Sequence, residues 1–223
     1  MHNKIEGLVK TMKTVVWDWN GTLLDDVEVC IQTVNAMLRQ RNLPLIESAG
    51  QYQSVFTFPV IDYYRSVGFD LKRERFEDLS EEYMAGYHVR AAACGLFADA
   101  EPGINKLREQ RVPSLILSAS RQDHLRRQTE QCGCTAWFDD LIGISDIYAK
   151  EKLSAAQTWL RHHPQKDREM IMIGDSLHDW EVAEALGWEC ILIDRGHQSR
   201  ERLAGSGKPV VSNILEAVSL ILD

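Results

Sequence analysis

Long apolar runs are missing from this sequence, and so are clusters of basic residues. No stretch approaches the roughly 18 consecutive apolar residues of a membrane span, so we expect no contact with a membrane. The net charge is −8, and no run of Lys or Arg extends beyond the pair Arg126-Arg127. This balance argues against binding nucleic acid through a basic face.

Cysteine is sparse and irregularly placed. The five cysteines are Cys30, Cys94, Cys132, Cys134 and Cys190. Their odd number and scattered spacing argue against a disulfide framework, and Cys132 with Cys134 lacks the second pair that would complete a zinc site. Residues 1–13 are polar and carry no apolar core of a signal peptide. We therefore expect reduced thiols and a cytoplasmic location.

What the chain does have is an alternation of apolar runs and amphipathic segments. The apolar runs predict strands at Val15–Trp17, Pro113–Ser118, Asp140–Ile144, Glu169–Ile173, Cys190–Ile193 and Pro209–Val211. Helical spacing predicts helices at Gly103–Gln110, Arg121–Gln131, Glu151–Arg161, Asp179–Leu186 and Ile214–Leu222. This alternation favours an α/β fold with a doubly wound parallel sheet.

One long segment interrupts the alternation. Residues 27–93 contain no convincing strand, and apolar residues fall at helical spacing in several parts of the segment. We interpret it as an inserted all-α domain. The prediction is a core domain of residues 1–26 and 94–223 with a helical domain of residues 27–93 between its two parts.

Polar residues follow several predicted strands. Asp18 follows the first strand, Ser118 ends the second, Asp175 follows a later one, and Lys150 or Lys152 offers a positive charge. The carboxyl ends of parallel strands converge on one crevice. Converging carboxylates suit Mg²⁺, a hydroxyl and an ammonium suit a phosphoryl oxygen, and a carboxylate can act as nucleophile. The residue types predict metal-assisted phosphoryl transfer through Asp18.

Structural roles compete with these assignments. Asp175 and Asp179 are also suited to cap the helix that follows them. Ser118 can satisfy a backbone group at its strand end. For His178 and His197 we expect surface or loop roles, because their spacing is not that of metal ligands.

The same residues carry a family resemblance. The segment Asp18-Trp19-Asn20-Gly21-Thr22-Leu23-Leu24-Asp25 resembles the first motif of the haloacid dehalogenase-like hydrolases, and Gly174-Asp175-Ser176-Leu177-His178-Asp179 resembles the fourth. Ser118 and Lys152 are similar to the second and third. The nearest subgroup resembles phosphoglycolate phosphatases, which carry a helical cap between the first two motifs. The resemblance therefore implies a Rossmann-like core with an all-α cap.

The resemblance also implies roles for the matching residues. Asp18 is the nucleophile and a Mg²⁺ ligand, together with the backbone carbonyl of Asn20 and the carboxylate of Asp175. Asp179 holds the water shell of the metal or orients its neighbours. The phosphoryl group is bound by Ser118, Lys152 and backbone N–H groups such as that of Ala119. Lys152 is favoured over Lys150 because the apolar Leu153 follows it, as in the family pattern.

Asn20 departs from the pattern. Phosphatases of the family usually carry Asp there, which protonates the leaving alkoxide and then activates water. Asn has no titratable proton, and general acid–base help is worth about 10²–10⁴-fold. Three explanations stay open: a phosphatase with another base or slow turnover, a phosphate-binding regulator, or an altered position.

Other chemistries of the family fit less well. A mutase needs the acid/base carboxylate, a dehalogenase uses no metal, and a phosphonate hydrolase needs a cap lysine, for which the polar run around Lys72 is a poor candidate. We therefore expect a monomeric, Mg²⁺-dependent phosphomonoesterase that acts on a small phosphorylated metabolite. The alternative is a non-catalytic or nearly inactive protein that binds a phosphorylated ligand.

Overall fold

The computed structural model describes residues 12–144, 151–163 and 168–223. Its central element is a six-stranded parallel sheet with the strand order β3-β2-β1-β4-β5-β6. The strands are β1 Met12–Trp17, β2 Ser114–Arg121, β3 Asp140–Ile144, β4 Arg168–Gly174, β5 Glu189–Ile193 and β6 Val210–Val211. The chain order runs outward on both sides of β1, so the carboxyl end of β1 is the switch point where such sheets open a crevice.

Ten α-helices accompany the sheet in the described residues. They are α1 Val27–Gln40, α2 Ala49–Val55, α3 Val60–Ser66, α4 Phe76–Ala91, α5 Ala100–Glu109, α6 Gln122–Gln131, α7 Glu151–His162, α8 Leu177–Leu186, α9 Arg200–Ala204 and α10 Ile214–Leu222, with a short 3-10 turn at Thr135–Trp137. None of these helices is both long and apolar enough to cross a membrane.

Both faces of the sheet are buried. Successive strand residues point to opposite faces, so Trp17 belongs to one hydrophobic cluster and Val16 to another. The first cluster includes residues of α5 and α10, and the second includes residues of α8. The predicted doubly wound α/β fold is confirmed.

Helices α1–α4 lie between β1 and β2 in the chain and have a hydrophobic cluster of their own. Backbone hydrogen bonds join the two segments that connect them to the sheet: Asp25 N–H donates to Gly95 at 3.0 Å, and Phe97 N–H donates to Leu23 at 3.0 Å. The chain therefore leaves the α/β core and returns to it at adjacent positions. The predicted all-α insertion is confirmed as part of the fold.

Candidate active site

Asp18 occupies the first position after β1, at the switch point of the sheet. Its backbone N–H donates to the carbonyl of Ile173 on β4 at 2.8 Å, which holds the residue between the two central strands. Its side chain is 11% exposed and accepts a hydrogen bond from Thr22 Oγ1 at 3.3 Å. The pairing of β1 with β4 therefore fixes the backbone of Asp18 and places its buried carboxylate at the end of the sheet.

Asp175 and Asp179 flank the start of α8. Asp175 follows β4, and its carboxylate accepts a hydrogen bond from the backbone N–H of His197. Asp179 Oδ2 accepts from Ser176 Oγ at 2.7 Å and from the backbone N–H of Ser176 at 3.1 Å. The capping role considered for Asp179 is therefore present, while its second oxygen, Oδ1, contacts Lys152.

Lys152 joins these carboxylates from the first turn of α7. Its Nζ lies 2.5 Å from Asp18 Oδ1 and 2.5 Å from Asp179 Oδ1, and the side chain is 1% exposed. Two of the three N–H groups of this buried ammonium are thereby engaged by carboxylates, and one is left for a third acceptor. Lys150, the alternative lysine of the motif, lies outside the described residues.

The proximity of three buried carboxylates shapes their ionisation. Burial raises the pKa of Asp18 to about 7 despite the attraction of Lys152, and Asp179 adds repulsion. Burial, with repulsion from Asp18 and Asp179, raises the pKa of Asp175 well above its ordinary value. For Asp179, the effect of burial is outweighed by Lys152 and Ser176, which lower its pKa. Burial alone would lower the pKa of Lys152, but Asp179 and Asp18 outweigh it and raise that pKa.

This donor set fits a divalent cation. One oxygen from each of Asp18, Asp175 and Asp179 lies within 4.8 Å of the others, and all three residues are buried. The cluster holds three carboxylates and one ammonium, which contacts two of them, so a buried negative charge remains when all three are ionised. Hard oxygen ligands with excess negative charge are what Mg²⁺ selects.

Gly21 allows the backbone to approach this set closely. Its φ is +72°, and a Cβ at this position would lie 2.5 Å from Asp175 Oδ2. Any other residue would be strained and would push into the carboxylate. The turn after Asp18 therefore requires glycine at position 21, because Asp175 lies so close to it.

The Asn20 side chain belongs to a hydrogen-bond network beside this cluster. Its Nδ2 donates to Asp26 Oδ2 at 2.7 Å and to the Tyr87 hydroxyl at 2.8 Å, and its Oδ1 accepts from Ser120 Oγ at 2.9 Å. Asp26 also accepts from the Gly21 N–H at 2.9 Å. The amide thus connects the loop after β1 to helix α4.

Ser118 lies in β2 and is buried. Its Oγ accepts a hydrogen bond from the backbone N–H of Ser120 at 3.0 Å, the structural role that competes with phosphate binding. The next two residues, Ala119 and Ser120, line the pocket over the carboxylates. This pocket of about 150 Å³, here called the carboxylate pocket, is also lined by Asp18, Asn20, Lys152, Asp175 and Asp179. The structure therefore brings most of the predicted site residues together.

Several residues at the site were not foreseen from the sequence. His197 lies in the loop after β5 but is buried, and its Nδ1 lies 3.0 Å from the Tyr52 hydroxyl of α2. Its Nε2 lies 3.7 Å from Asp26 Oδ1. Burial lowers the pKa of His197. For Asp26, its position directly after the first motif is the one feature of the sequence that could have indicated a place in the site. The places of His197 and Tyr52 depend on tertiary contacts.

Comparison with known proteins agrees with the geometry. The family profile of haloacid dehalogenase-like hydrolases matches residues 15–193. The span includes every residue of the carboxylate cluster.

Individual relatives are distant. A phosphoglycolate phosphatase of Aliivibrio fischeri is 24% identical, over 97% of this chain and 99% of its own. The solved structure of protein tyrosine kinase A from Mycobacterium tuberculosis has a TM-score of 0.79 at 21% identity, covering 95% of this chain and 98% of its own. A haloacid dehalogenase-like family hydrolase from Streptococcus pneumoniae has a TM-score of 0.72 at 17% identity, covering 95% and 99%. At these identities the solved structures establish the fold alone.

Proposed function

The chain belongs to the haloacid dehalogenase-like hydrolase family, and from that premise we propose that it is a Mg²⁺-dependent phosphomonoester hydrolase with Asp18 as nucleophile. The observation that carries the proposal is the arrangement of Lys152, 2.5 Å from both Asp18 and Asp179, with Asp175 in the same buried cluster. Phosphoglycolate phosphatases among the relatives support the ester class.

In this mechanism the chain holds the phosphoryl group over Asp18. Lys152 and the backbone N–H groups after Asp18 and Ser118 face its oxygens, where charge develops during transfer. Asp18 attacks phosphorus and the ester oxygen leaves, which produces an aspartyl-phosphate. Water then hydrolyses this intermediate and restores the carboxylate.

Asp18, Asp175 and the backbone carbonyl of Asn20 would hold the Mg²⁺, with Asp179 orienting its surroundings. The cation would supply charge neutralisation at the phosphoryl oxygens. Binding it requires ionised carboxylates. Lys152 keeps Asp179 ionised by its ion pair.

The side chain of Asn20 cannot deliver a proton to the leaving group or take one from water. We therefore expect dephosphorylation of Asp18 to be the slow step. The same observation favours a second candidate, a protein that binds phosphate esters with little or no turnover.

Hydrolysis of acetyl phosphate tests the proposal, because acetate leaves without a proton from the protein. We expect Mg²⁺-dependent release of phosphate that is abolished by EDTA and by Asp18→Asn. Metal-independent turnover that survives Asp18→Asn would contradict the mechanism. Tight binding of phosphate esters with no turnover would favour the second candidate.

The boundaries of the two domains are part of the proposal: a core of residues 1–26 and 94–223, and a cap of residues 27–93. The paired segments at Leu23–Asp25 and Gly95–Phe97 support them, since the chain crosses there. A monomeric state and a cytoplasmic location stay predictions from the sequence.

A further inference from the structure

A second, larger cavity adjoins the carboxylate pocket. It measures about 530 Å³, and we call it the aromatic cavity because six aromatic residues line it: Phe56, Phe58, Tyr63, Tyr64, Phe76 and Tyr83. Four residues, Phe56, Phe58, Ala119 and Ser120, line both spaces. The two cavities are therefore direct neighbours, and a group bonded to phosphorus in the carboxylate pocket would lie close to the aromatic cavity.

The aromatic cavity has more than three times the volume of the carboxylate pocket. The carboxylate pocket, at about 150 Å³, is the smaller of the two, and its lining holds the carboxylates and Lys152 on which the phosphoryl group would lie. The aromatic cavity falls within the range of about 300–1,000 Å³ that is common for small-molecule sites. It exceeds the roughly 150 Å³ that suffices for a benzene ring in an apolar cavity. The room beyond the phosphate is thus large enough for one or two fused rings.

Charge in the aromatic cavity is sparse. Its charged lining residues are Glu81 and Arg121, and Arg121 already forms hydrogen bonds of 3.1 and 3.0 Å with Asp123. Burial lowers the pKa values of His88 and His124, which also line it, so both are neutral near pH 7. A substrate carboxylate would meet no unpaired buried cation among these lining residues. The surroundings favour an apolar body.

The chemistry at Asn20 points to the same class of substrate. An aliphatic alkoxide is a poor leaving group without a proton, and Asn20 cannot supply one. Phenols ionise near pH 10, so a phenolate departs far more easily. The missing acid is tolerable when the leaving group is aromatic.

We infer that the substrate is a phosphate monoester of a phenol, whose ring enters the aromatic cavity while its phosphoryl group lies over Asp18. This inference rests on the proposed function. Asp18 Oδ forms a bond to phosphorus as the bond from phosphorus to the phenolic oxygen breaks, and the oxygen leaves with the electron pair. The phenolate takes a proton from solvent. Water then splits the aspartyl-phosphate, so an aryl phosphate and water yield a phenol and inorganic phosphate.

The experiment compares phosphate esters on the purified chain with Mg²⁺. Acetyl phosphate, phenyl phosphate, 2-naphthyl phosphate and 2-phosphoglycolate are the probes. We expect 2-naphthyl phosphate to show a Michaelis constant about ten-fold below that of phenyl phosphate, because the second ring is buried in the aromatic cavity. We expect 2-phosphoglycolate to show a kcat/KM at least about 100-fold below that of phenyl phosphate, since its alkoxide needs a proton.

The outcomes separate this inference from the proposed function. Hydrolysis of acetyl phosphate with 2-phosphoglycolate equal to or better than phenyl phosphate would overturn the inference and leave the proposed function intact. Failure to hydrolyse any probe would count against the proposed function. In that case the affinities of the Asp18→Asn protein decide: tighter binding of 2-naphthyl phosphate than of 2-phosphoglycolate supports the aromatic site, and the reverse order overturns it.

A pair of serine variants locates the ring. Ser80 lines the aromatic cavity, and its Oγ donates to the Phe76 carbonyl of its own helix. Ser66 is exposed on α3, lines neither cavity, and donates to the Tyr63 carbonyl in the same way. The preference for 2-naphthyl phosphate over acetyl phosphate is measured as the ratio of their kcat/KM values. Ser80→Trp would fill the aromatic cavity and should lower this ratio about ten-fold, whereas Ser66→Trp should leave it unchanged. Equal kcat/KM ratios in both variants would overturn the placement of the ring. If Ser80→Trp does not fold, the comparison of phosphate esters on the unaltered chain still tests the inference.

A phosphotyrosyl peptide distinguishes two sources of the same chemistry. Turnover of the peptide equal to that of phenyl phosphate assigns the phenol to a protein side chain. Turnover well below it assigns the phenol to a free small molecule. Both results are consistent with a phosphate ester of a phenol. Whether the substrate is such an ester is decided by the comparison of phenyl and 2-naphthyl phosphate with 2-phosphoglycolate.

Discussion

The side-chain amide of Asn20 donates a 2.8 Å hydrogen bond to the hydroxyl of Tyr87 on helix α4. Both groups also donate to the buried carboxylate of Asp26, Asn20 at 2.7 Å and Tyr87 at 2.6 Å. An amide suits this position because it brings donors to a carboxylate. An aspartate in its place would bring a second carboxylate within hydrogen-bonding distance of the first.

Replacing Asn20 by Asp should therefore change both stability and specificity. Repulsion from Asp26 should raise the pKa of the new carboxyl and cost about 1–3 kcal/mol of unfolding free energy at pH 7. The retained proton is available to a leaving alkoxide. The kcat/KM for alkyl phosphates, which reports transfer to Asp18 and not the later attack by water, should therefore rise by up to about 100-fold, and that for aryl phosphates by less. Denaturant unfolding and steady-state kinetics measure the two effects.

The double variant Asn20→Asp, Asp26→Asn is the matched control. It exchanges the amide and the carboxylate, so the stability loss should shrink. An equal gain in kcat/KM for alkyl and aryl phosphates in the single variant would show that another residue supplies the proton to the leaving group.

Tyr87→Phe tests the connection between the core and α4. The hydroxyl donates to Asp26 and accepts from Asn20 at 2.8 Å and from Gln128 at 3.3 Å. Its loss should cost about 1–3 kcal/mol, because buried partners are left unsatisfied. Tyr63→Phe is the control, since the buried Tyr63 hydroxyl has no hydrogen-bond partner among the described residues, and its removal should be neutral or stabilising. Similar losses in both variants would argue against the network.

Much of this arrangement was predictable from local patterns. The carboxylates after β1 and β4 follow apolar strands, and parallel pairing brings those strand ends together. The bounds of helix α2 could not be read from an apolar period, because Tyr52 is its one buried residue, although Ser48 caps its start. The contacts of Asn20 with Tyr87 and of His197 with Tyr52 join residues far apart in the chain, and no local pattern encodes them.

Mg²⁺ should stabilise the folded chain by neutralising its buried carboxylates. At one hundred times the dissociation constant the gain is about 2.7 kcal/mol. Since the pKa of Asp18 is raised to about 7 and that of Asp175 is raised too, protons compete with the metal, and the gain should shrink as pH falls below 7. Thermal unfolding with Mg²⁺ and with EDTA, at pH 8 and pH 6, measures this. A gain of equal size in Asp175→Asn would place the metal elsewhere.

The contact between His88 and His124 predicts a second pH effect. Their ring nitrogens lie 3.0 Å apart across α4 and α6, and burial lowers both pKa values, with Asp123, Arg121 and Arg127 nearby. The unfolded chain then binds protons more readily, so this pair lowers stability as pH falls below about 6.5. The difference in melting temperature between His88→Gln and the unaltered chain should grow in favour of the variant from pH 7.5 to pH 5.5. If the difference in melting temperature did not change with pH, the His88–His124 pair would not contribute to the loss of stability in acid.

The central claim is that Asp18 takes up the phosphoryl group. Rapid mixing of the chain with phenyl phosphate and Mg²⁺, followed by acid quench and peptide mass spectrometry, tests it directly. Because Asn20 provides no base for water, we expect a burst of phenol and one phosphoryl group on the peptide that contains Asp18, both absent in Asp18→Asn. Turnover without a phosphorylated intermediate, or with the phosphoryl group on another residue, would contradict the account.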